Sequence, residues 1–194
     1  LPLAFLEGEG PVFGKTVRTL EDLKALKSPD PEIELRYVMD AVRLIKQNLH
    51  QRVPLIGFCG SPWTVAAYMV EGSGSKTFSH LRQLMYRDPV FLHALLNQIT
   101  EVSINYLKAQ VAAGADVIQI FDTWGGLLGY DTYPVFSLNY MAKMVNALKS
   151  TPVILFTKGV GHWLPEILKT GCHGIGLDWR IDPKEARNQV GSGV

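Results

Sequence analysis

Four short runs of apolar residues recur along the chain, each followed by a turn and then by a longer amphipathic stretch. The runs are continuously apolar and do not alternate with polar residues, which is typical of parallel strands buried on both faces. We therefore predict strands near residues 53–59, 116–121, 152–157 and 174–178.

The stretches between these runs carry apolar residues at a spacing of three to four, which predicts helices that pack on a core. Asp88 is placed to cap a helix that begins at Pro89 and runs towards Gly114. Its predicted core-facing residues are Phe91, Leu95, Ile99, Val102 and Tyr106. Further helices are predicted over 134–149, over 163–170, from Pro183 onward, and over 31–50. The last of these has an apolar side made of Leu35, Val38, Val42, Ile45 and Leu49.

Strands that alternate with helices predict an α/β fold with a parallel sheet and right-handed crossovers. Four strand–helix units fit either an open doubly wound sheet or part of a (β/α)8 barrel, and the pattern alone leaves both open. A complete barrel usually takes about 250 residues, which is more than the 194 in the sequence. We expect residues 1–194 to form a single domain.

Composition and charge narrow the classes of partner. The 19 basic and 18 acidic residues leave a formal charge of +1, so bulk charge predicts neither nucleic-acid binding nor attachment to an anionic membrane. No apolar run reaches the roughly 18 residues of a membrane span. Two cysteines do not make a disulfide framework. The expectation is a soluble protein in a reducing compartment.

The first strand end carries three hydroxyls. Ser61 can cap a helix that begins at Pro62, and Ser61, Thr64 and Tyr68 would share one face of that helix. The free backbone N–H groups at such a helix start predict an anion site at the carboxyl end of the sheet, where both architectures bind ligands. The alternative is an ordinary capped helix with a half-buried tyrosine.

The second strand end opens a long connection that begins at Asp122 and reaches Pro134. Connections from strand to helix usually run about two to six residues, so this one suggests a function. It offers a carboxylate, the Thr123 hydroxyl and an apolar wall that would suit a flat ring; the wall residues are Trp124, Leu127, Leu128 and Tyr130. A loop that packs over a barrel end or against a second subunit explains the same residues.

The remaining strand ends are less informative. Lys158 would meet a carboxylate or stay a solvated charge. Asp178 would act as a base or as part of a hydrogen-bonded wall, or it would cap or orient its neighbours. Cys172 and His173 are adjacent, so both cannot easily bind one metal, and no metal site is predicted. Cys59 is expected to be a small buried hydrophobe.

The same strand ends resemble the uroporphyrinogen decarboxylase family. The stretch 57–72, which reads GFCGSPWTVAAYMVEG, is similar to the second signature of that family. The later strand ends IFDTWGG (120–126), LFTKG (155–159) and GLDW (176–179) resemble the family's in the same order. Gly8-Glu9-Gly10-Pro11 resembles a turn near the family's start. The resemblance covers essentially the whole chain.

The resemblance implies a (β/α)8 TIM barrel, here a partial barrel of about four βα units after an N-terminal helical segment and incomplete at both ends. It implies cofactor-free decarboxylation of the acetate side chains of uroporphyrinogen III, giving coproporphyrinogen III in haem biosynthesis. Tyr68 and Thr123 would be substrate-binding hydroxyls on its propionate and acetate groups. The family's essential aspartate has no counterpart in this chain, so no catalytic residue is assigned. A cytoplasmic homodimer that takes a tetrapyrrole substrate and needs no metal is expected.

Two other functions stay open. A corrinoid-linked zinc methyltransferase shares this barrel superfamily, but it needs His and Cys ligands, and no His-x-Cys cluster follows a predicted strand. A barrel that has lost catalysis and survives as an interaction module is the third possibility.

Overall fold

The computed structural model describes residues 1, 3–6 and 10–194; for residues 3, 5, 6, 10 and 11 it describes the backbone only. The strands are β1 (Leu3–Leu6), β2 (Gly10–Phe13), β3 (Ile56–Gly60), β4 (Val117–Asp122), β5 (Val153–Thr157) and β6 (Gly174–Gly176). The α-helices are α1 (Leu20–Ala25), α2 (Arg36–Leu49), α3 (Pro62–Glu71), α4 (Ser79–Arg87), α5 (Pro89–Ala113), α6 (Asn139–Ala147), α7 (Leu164–Leu168) and α8 (Pro183–Val190).

Strands β3 to β6 form one parallel sheet in which they are neighbours in sequence order. A doubly wound sheet reverses its strand order midway, because its ligand crevice lies at that reversal. The uninterrupted order β3-β4-β5-β6 therefore excludes the open sheet and fits a segment of a barrel. All four predicted strands are confirmed. β3 begins at Ile56, three residues later than predicted, and Pro54 in the omitted part has no N–H to give to a ladder.

The N-terminal part contains the expected helices and also two strands that were not predicted. β1 and β2 pair antiparallel before the first helix. α1 follows, and Thr19 and Asp22 close a capping box at its start. Gly8 and Glu9 of the family-like turn lie outside the described residues.

The caps predicted from sequence are present at α3 and α5. The Asp88 side chain accepts from the backbone N–H of Phe91 at the start of α5, and Gly114 ends this helix with a φ of 117°. Of the five predicted core residues of α5, the first three are buried and the last two, Val102 and Tyr106, are half-buried.

The predicted apolar side of α2 is only partly correct. The helix begins at Arg36, and Met39 is its one buried residue. Ile45, which was assigned to the apolar side, is 49% exposed. α2 lies outside α5 and buries a narrow stripe, so the spacing of its apolar residues overstates the area that it covers.

The helices cover one face of the sheet. Ile118, Ile120, Val153 and Leu155 point to that face and are fully buried. On the opposite face Phe58 is 60% exposed, and the rings of Phe58, Phe121 and Phe156 make edge-to-face contacts at 5.8 and 5.9 Å. In a closed barrel this second face is the interior, which side chains fill. None of the described helices has both the length and the hydrophobicity needed to cross a bilayer.

Candidate functional site

The four strand ends meet at one edge of the sheet, which we call the rim. Backbone hydrogen bonds link them in order: Ser61 N–H donates to the Phe121 carbonyl at 2.7 Å, and Lys158 N–H donates to the Asp122 carbonyl at 3.2 Å. Gly159 N–H donates to Oδ2 of Asp178 at 2.7 Å. The parallel register brings these ends together, because each crossover returns the chain to the same starting edge.

Asp122 is the centre of a buried hydrogen-bond cluster at the rim. Its side chain is fully buried. The hydroxyls of Ser61 and Thr64 donate to its Oδ1 at 2.7 and 3.0 Å, and Ser137 donates to its Oδ2 at 2.6 Å. Thr64 Oγ1 also accepts from the backbone N–H of Trp124 at 3.2 Å. The cluster therefore ties the start of α3, the end of β4 and the stretch before α6 into one unit.

The electrostatics of Asp122 follow from this burial. Loss of solvent raises the pKa of the carboxyl, while the hydrogen bonds from Ser137, Ser61 and Thr64 oppose that rise. No cation forms an ion pair with Asp122 within the described part of the chain. The aspartate is held by hydroxyls alone, which suits a positioning role better than substrate contact.

This cluster changes the interpretation of the α3 start. Ser61 caps the helix as predicted, since its Oγ accepts from the N–H of Thr64 at 3.0 Å. The first residues of the helix are buried, however, and the anion beside them is the protein's own Asp122. Two of the three hydroxyls on that helix face are therefore committed to Asp122, and Tyr68 is the one that is not. The buried start and the half-buried Tyr68 match the alternative, an ordinary capped helix.

Sequence reasoning missed Ser137 and Tyr133. Ser137 lies in a π-helical turn, Pro134–Leu138, that precedes α6, where a regular helix was predicted. Such turns are frequent at functional sites. Tyr133 is fully buried and donates to Thr157 Oγ1 at 3.1 Å, and burial together with the nearby Asp122 raises its pKa. A serine inside the apolar run PVFSL was the only available signal.

The proposed apolar bed for a flat ring is not one surface. Trp124 and Leu127 line a rim cavity of about 240 Å³, whose other lining residues are Thr123, Gly126, Lys158 and Arg180. Leu128 is buried in the core, whereas Tyr130 is 71% exposed and stacks on Trp163 at 4.6 Å.

Thr123 lies at the rim, and Tyr68 lies on α3 beside the rim residue Trp124. Thr123 is half-buried and lines the rim cavity. Tyr68 is half-buried and does not line it; its ring packs edge-on against Trp124, with centroids 6.3 Å apart. Trp124 also packs on Phe78 at 4.6 Å. Trp124 thus contacts Tyr68 and borders the cavity of Thr123, and convergence of the two hydroxyls on one ligand stays a prediction.

The other strand-end residues have ordinary roles or lie elsewhere. Asp178 accepts from the backbone N–H groups of Gly159 and Arg180 at 2.7 and 2.9 Å, so it orients its neighbours. Cys172 and His173 precede β6 and lie at the opposite edge of the sheet from the rim. No group of three His, Cys, Asp or Glu side chains within the described ranges could hold a metal ion. Burial raises the pKa of the Cys59 thiol to about 12.

Two larger grooves, of about 320 and 460 Å³, lie against the N-terminal segment. Leu26 and Pro29 border both, and no residue of the four strand ends lines either groove. Volume alone therefore does not identify the functional site. The hydroxyl of Thr123 and the cations Lys158 and Arg180 favour the smaller rim cavity.

The fold is similar to that of a solved structure. The structure is similar to that of a methyltransferase from Methanosarcina mazei, with a TM-score of 0.81 over 98% of this chain and 56% of that one. The two sequences are 22% identical, so this similarity shows the barrel fold and not the activity. It confirms the partial-barrel prediction.

The amino-acid sequence is similar to those of curated proteins that share one name. The chain is 54% identical to the uroporphyrinogen decarboxylase of Tolumonas auensis and 51% identical to that of Alkalilimnicola ehrlichii, in both cases over all of this chain. It spans 56% and 55% of those two sequences, which is about half the length of the curated relatives it matches. The family model described as uroporphyrinogen decarboxylase (URO-D) matches residues 1–194. The family model and the two relatives match the whole chain, and so the chain belongs to the uroporphyrinogen decarboxylase family.

Proposed function

We propose that the intact protein containing this chain removes the acetate carboxylates of uroporphyrinogen III and so forms coproporphyrinogen III in tetrapyrrole biosynthesis. The observation that carries the proposal is the family match over residues 1–194, joined by about 50% identity to relatives that bear this activity as their name.

The chemistry explains what the protein must supply. Loss of CO₂ from an acetate arm leaves an electron pair on its methylene carbon. A pyrrole protonated at its α-carbon accepts that pair, and the methylene then takes a proton to become a methyl group while the α-carbon gives its proton up. The protein has to stabilise a positively charged ring and hold the leaving carboxylate in place. The proposal requires no metal or organic cofactor, because the substrate ring itself is the electron sink.

Tyr68 and Thr123 are proposed as hydroxyl donors to the carboxylate arms. Both are half-buried, Thr123 at the rim and Tyr68 against the rim residue Trp124, and a partly desolvated hydroxyl can bond to a ligand and still exclude water. Asp122 is not proposed as the carboxylate that balances the ring charge, because Ser61, Thr64 and Ser137 already occupy its oxygens. Asp178 is excluded from that role for a similar reason, since two backbone N–H groups occupy its oxygens.

The test is a decarboxylation assay on the intact protein under anaerobic conditions. Uroporphyrinogen III is supplied, and the products are oxidised and separated by the number of their carboxyl groups. We expect heptacarboxyl to tetracarboxyl products at a rate that a metal chelator leaves unchanged. The absence of any product with fewer carboxyls than the substrate overturns the proposal, and it would favour the non-catalytic remnant.

The zinc methyltransferase alternative has no specific observation in its favour, since the structural similarity extends to the fold alone. A chelator-sensitive methyl transfer to a thiol would support it.

We further propose that the intact protein is a cytoplasmic homodimer. Sedimentation velocity measures its mass in solution, and a monomer at micromolar concentration contradicts the proposed dimer.

A further inference from the structure

The rim cavity brings together side chains from three strand ends. Thr123 follows β4, Lys158 follows β5, and Arg180 follows β6. Its volume of about 240 Å³ lies below the roughly 300–1,000 Å³ typical of pockets that enclose a whole drug-sized ligand. Its size therefore suits one arm of a tetrapyrrole.

The two cations of the cavity both lie near one indole ring. Lys158 Nζ lies 5.3 Å and Arg180 Cζ lies 5.7 Å from the ring centroid of Trp179, which is itself 79% exposed. Both distances fall within the range of cation–π attraction. Two like charges on one ring repel each other, and a bound anion would relieve that repulsion.

The protein neutralises only part of this charge. Asp178 Oδ2 lies 3.7 Å from Arg180 Nε, and both oxygens of that carboxylate already accept backbone N–H groups. Lys158 forms no ion pair with any other described residue. Two cations and one carboxylate leave one uncompensated positive charge at the cavity.

The packing of the loops shows that the cavity is a built feature. A Cβ atom on Gly126 would lie 2.6 Å from the Lys158 carbonyl oxygen, so only glycine permits this approach of the β4 and β5 loops. Gly159 has a φ of 81°, and a Cβ atom there would lie 2.8 Å from Arg180 Nη1. The two glycines set the spacing at which Lys158 and Arg180 face the same space.

We propose, on the basis of the proposed function, that the rim cavity is a subsite for one carboxylate arm of the tetrapyrrole substrate. Arg180 and Lys158 bind the carboxylate, and Thr123 stands beside them as a further donor. Arg180 offers the planar donor pair that fits a carboxylate, and Lys158 adds a point charge. Trp179 holds both side chains in place before the substrate arrives, which reduces the entropy lost on binding.

The experiment measures kcat and KM of the intact protein for uroporphyrinogen III after Arg180→Gln and after Lys158→Gln. Each substitution should raise KM about tenfold to a hundredfold and leave kcat within about threefold, because the contact is the same in the ground and transition states. Arg180→Lys should recover part of the loss. Arg52→Gln and Lys149→Gln are matched controls, since both residues are exposed and precede a strand at the opposite edge of the sheet.

Inhibition by coproporphyrinogen III identifies the arm. This product keeps the propionates and has methyl groups in place of the acetates. If Arg180→Gln weakens its inhibition, the subsite takes a propionate; if not, it takes an acetate. Both outcomes support the subsite. If KM is unchanged in both Arg180→Gln and Lys158→Gln, the proposed subsite is wrong, even when the wild-type protein decarboxylates normally.

Equilibrium binding of uroporphyrin, followed by quenching of tryptophan fluorescence, separates this proposal from the proposed function. If the wild-type protein binds uroporphyrin but does not decarboxylate uroporphyrinogen, the proposed function is wrong. The subsite then stands if Arg180→Gln weakens that binding about tenfold or more, while Arg52→Gln does not. A wild-type protein that neither binds nor decarboxylates overturns both.

Discussion

The hydroxyl of Ser137 donates a 2.6 Å hydrogen bond to Oδ2 of Asp122, and both residues are fully buried. Ser137 belongs to the stretch that enters α6, and Asp122 ends β4 and leads into the loop of Thr123 and Trp124. This contact joins the two ends of the long connection between β4 and α6. We infer that it positions the rim residues, since both of its side chains are buried.

Ser137→Ala should destabilise the fold. The substitution removes one of the three donors to a buried carboxyl group, and leaving a buried polar group without a hydrogen bond costs roughly 1–3 kcal/mol. The free energy of unfolding, from denaturant titration, is the measurement. Ser73→Ala is the matched control, because Ser73 bonds only weakly to an exposed neighbour at 3.4 Å. A loss equal to that of the control would show that the cluster adds nothing to stability.

The pH dependence of stability should change in Asp122→Asn. Burial raises the pKa of Asp122 above its ordinary 3.8, so the native state holds this proton more tightly than the unfolded state does. The resulting stabilisation is present below pH 3.8 and is lost as the pH rises through the folded pKa. Asparagine cannot ionise. The stability of the variant relative to wild type should therefore increase above about pH 4, by at most about 1.4 kcal/mol per pH unit. A difference that stays constant from pH 4 to 8 contradicts the raised pKa.

Tyr68→Phe should lower kcat/KM of the intact protein. Removal of one hydrogen bond to a charged substrate group costs roughly 1.5–3 kcal/mol, or about tenfold to a hundredfold. Tyr86→Phe is the matched control, because Tyr86 is 77% exposed on α4. Unchanged turnover and affinity would mean that the Tyr68 hydroxyl contributes only to packing against Trp124.

Cys59 should react slowly with iodoacetamide in the native protein. A thiol whose pKa is raised to about 12 has little thiolate at neutral pH, so the alkylation rate should rise about tenfold per pH unit from pH 7 to 10. Peptide mass spectrometry measures the rate at Cys59 alone. The same peptide in guanidinium provides the control, since the rate for an unfolded thiol with a pKa of about 8.5 levels off above about pH 9. A native plateau at that pH would disprove the raised pKa.

The 194-residue chain by itself is expected to release no CO₂ above background. The proposed substrate carries eight carboxylates, whereas the rim cavity presents two cations, Lys158 and Arg180. The apolar sheet face that bears the exposed Phe58 also lacks a covering layer within the described residues. A rate close to that of the intact protein would contradict this, and it would require Asp122 or Asp178 to stabilise the ring.

Much of the fold was predictable because its signals are local. Continuous apolar runs marked all four parallel strands, and Ser61 and Asp88 marked the starts of α3 and α5 through their capping side chains. Such signals depend on neighbours within a few residues, so they survive without knowledge of the tertiary structure. The family resemblance rested on the strand ends in the same way.

The sequence by itself thus determined the parallel strands, their capped helices and the family, whereas tertiary packing decided what each rim side chain does. Thr64 and Asp122 are 58 residues apart, and their hydrogen bond commits the Thr64 hydroxyl to a residue of the protein itself. Lys158 and Arg180 are brought onto one ring only when the β5 and β6 loops approach each other. No local pattern encodes such contacts, because they depend on the register of strands and on burial, which are properties of the whole packed sheet.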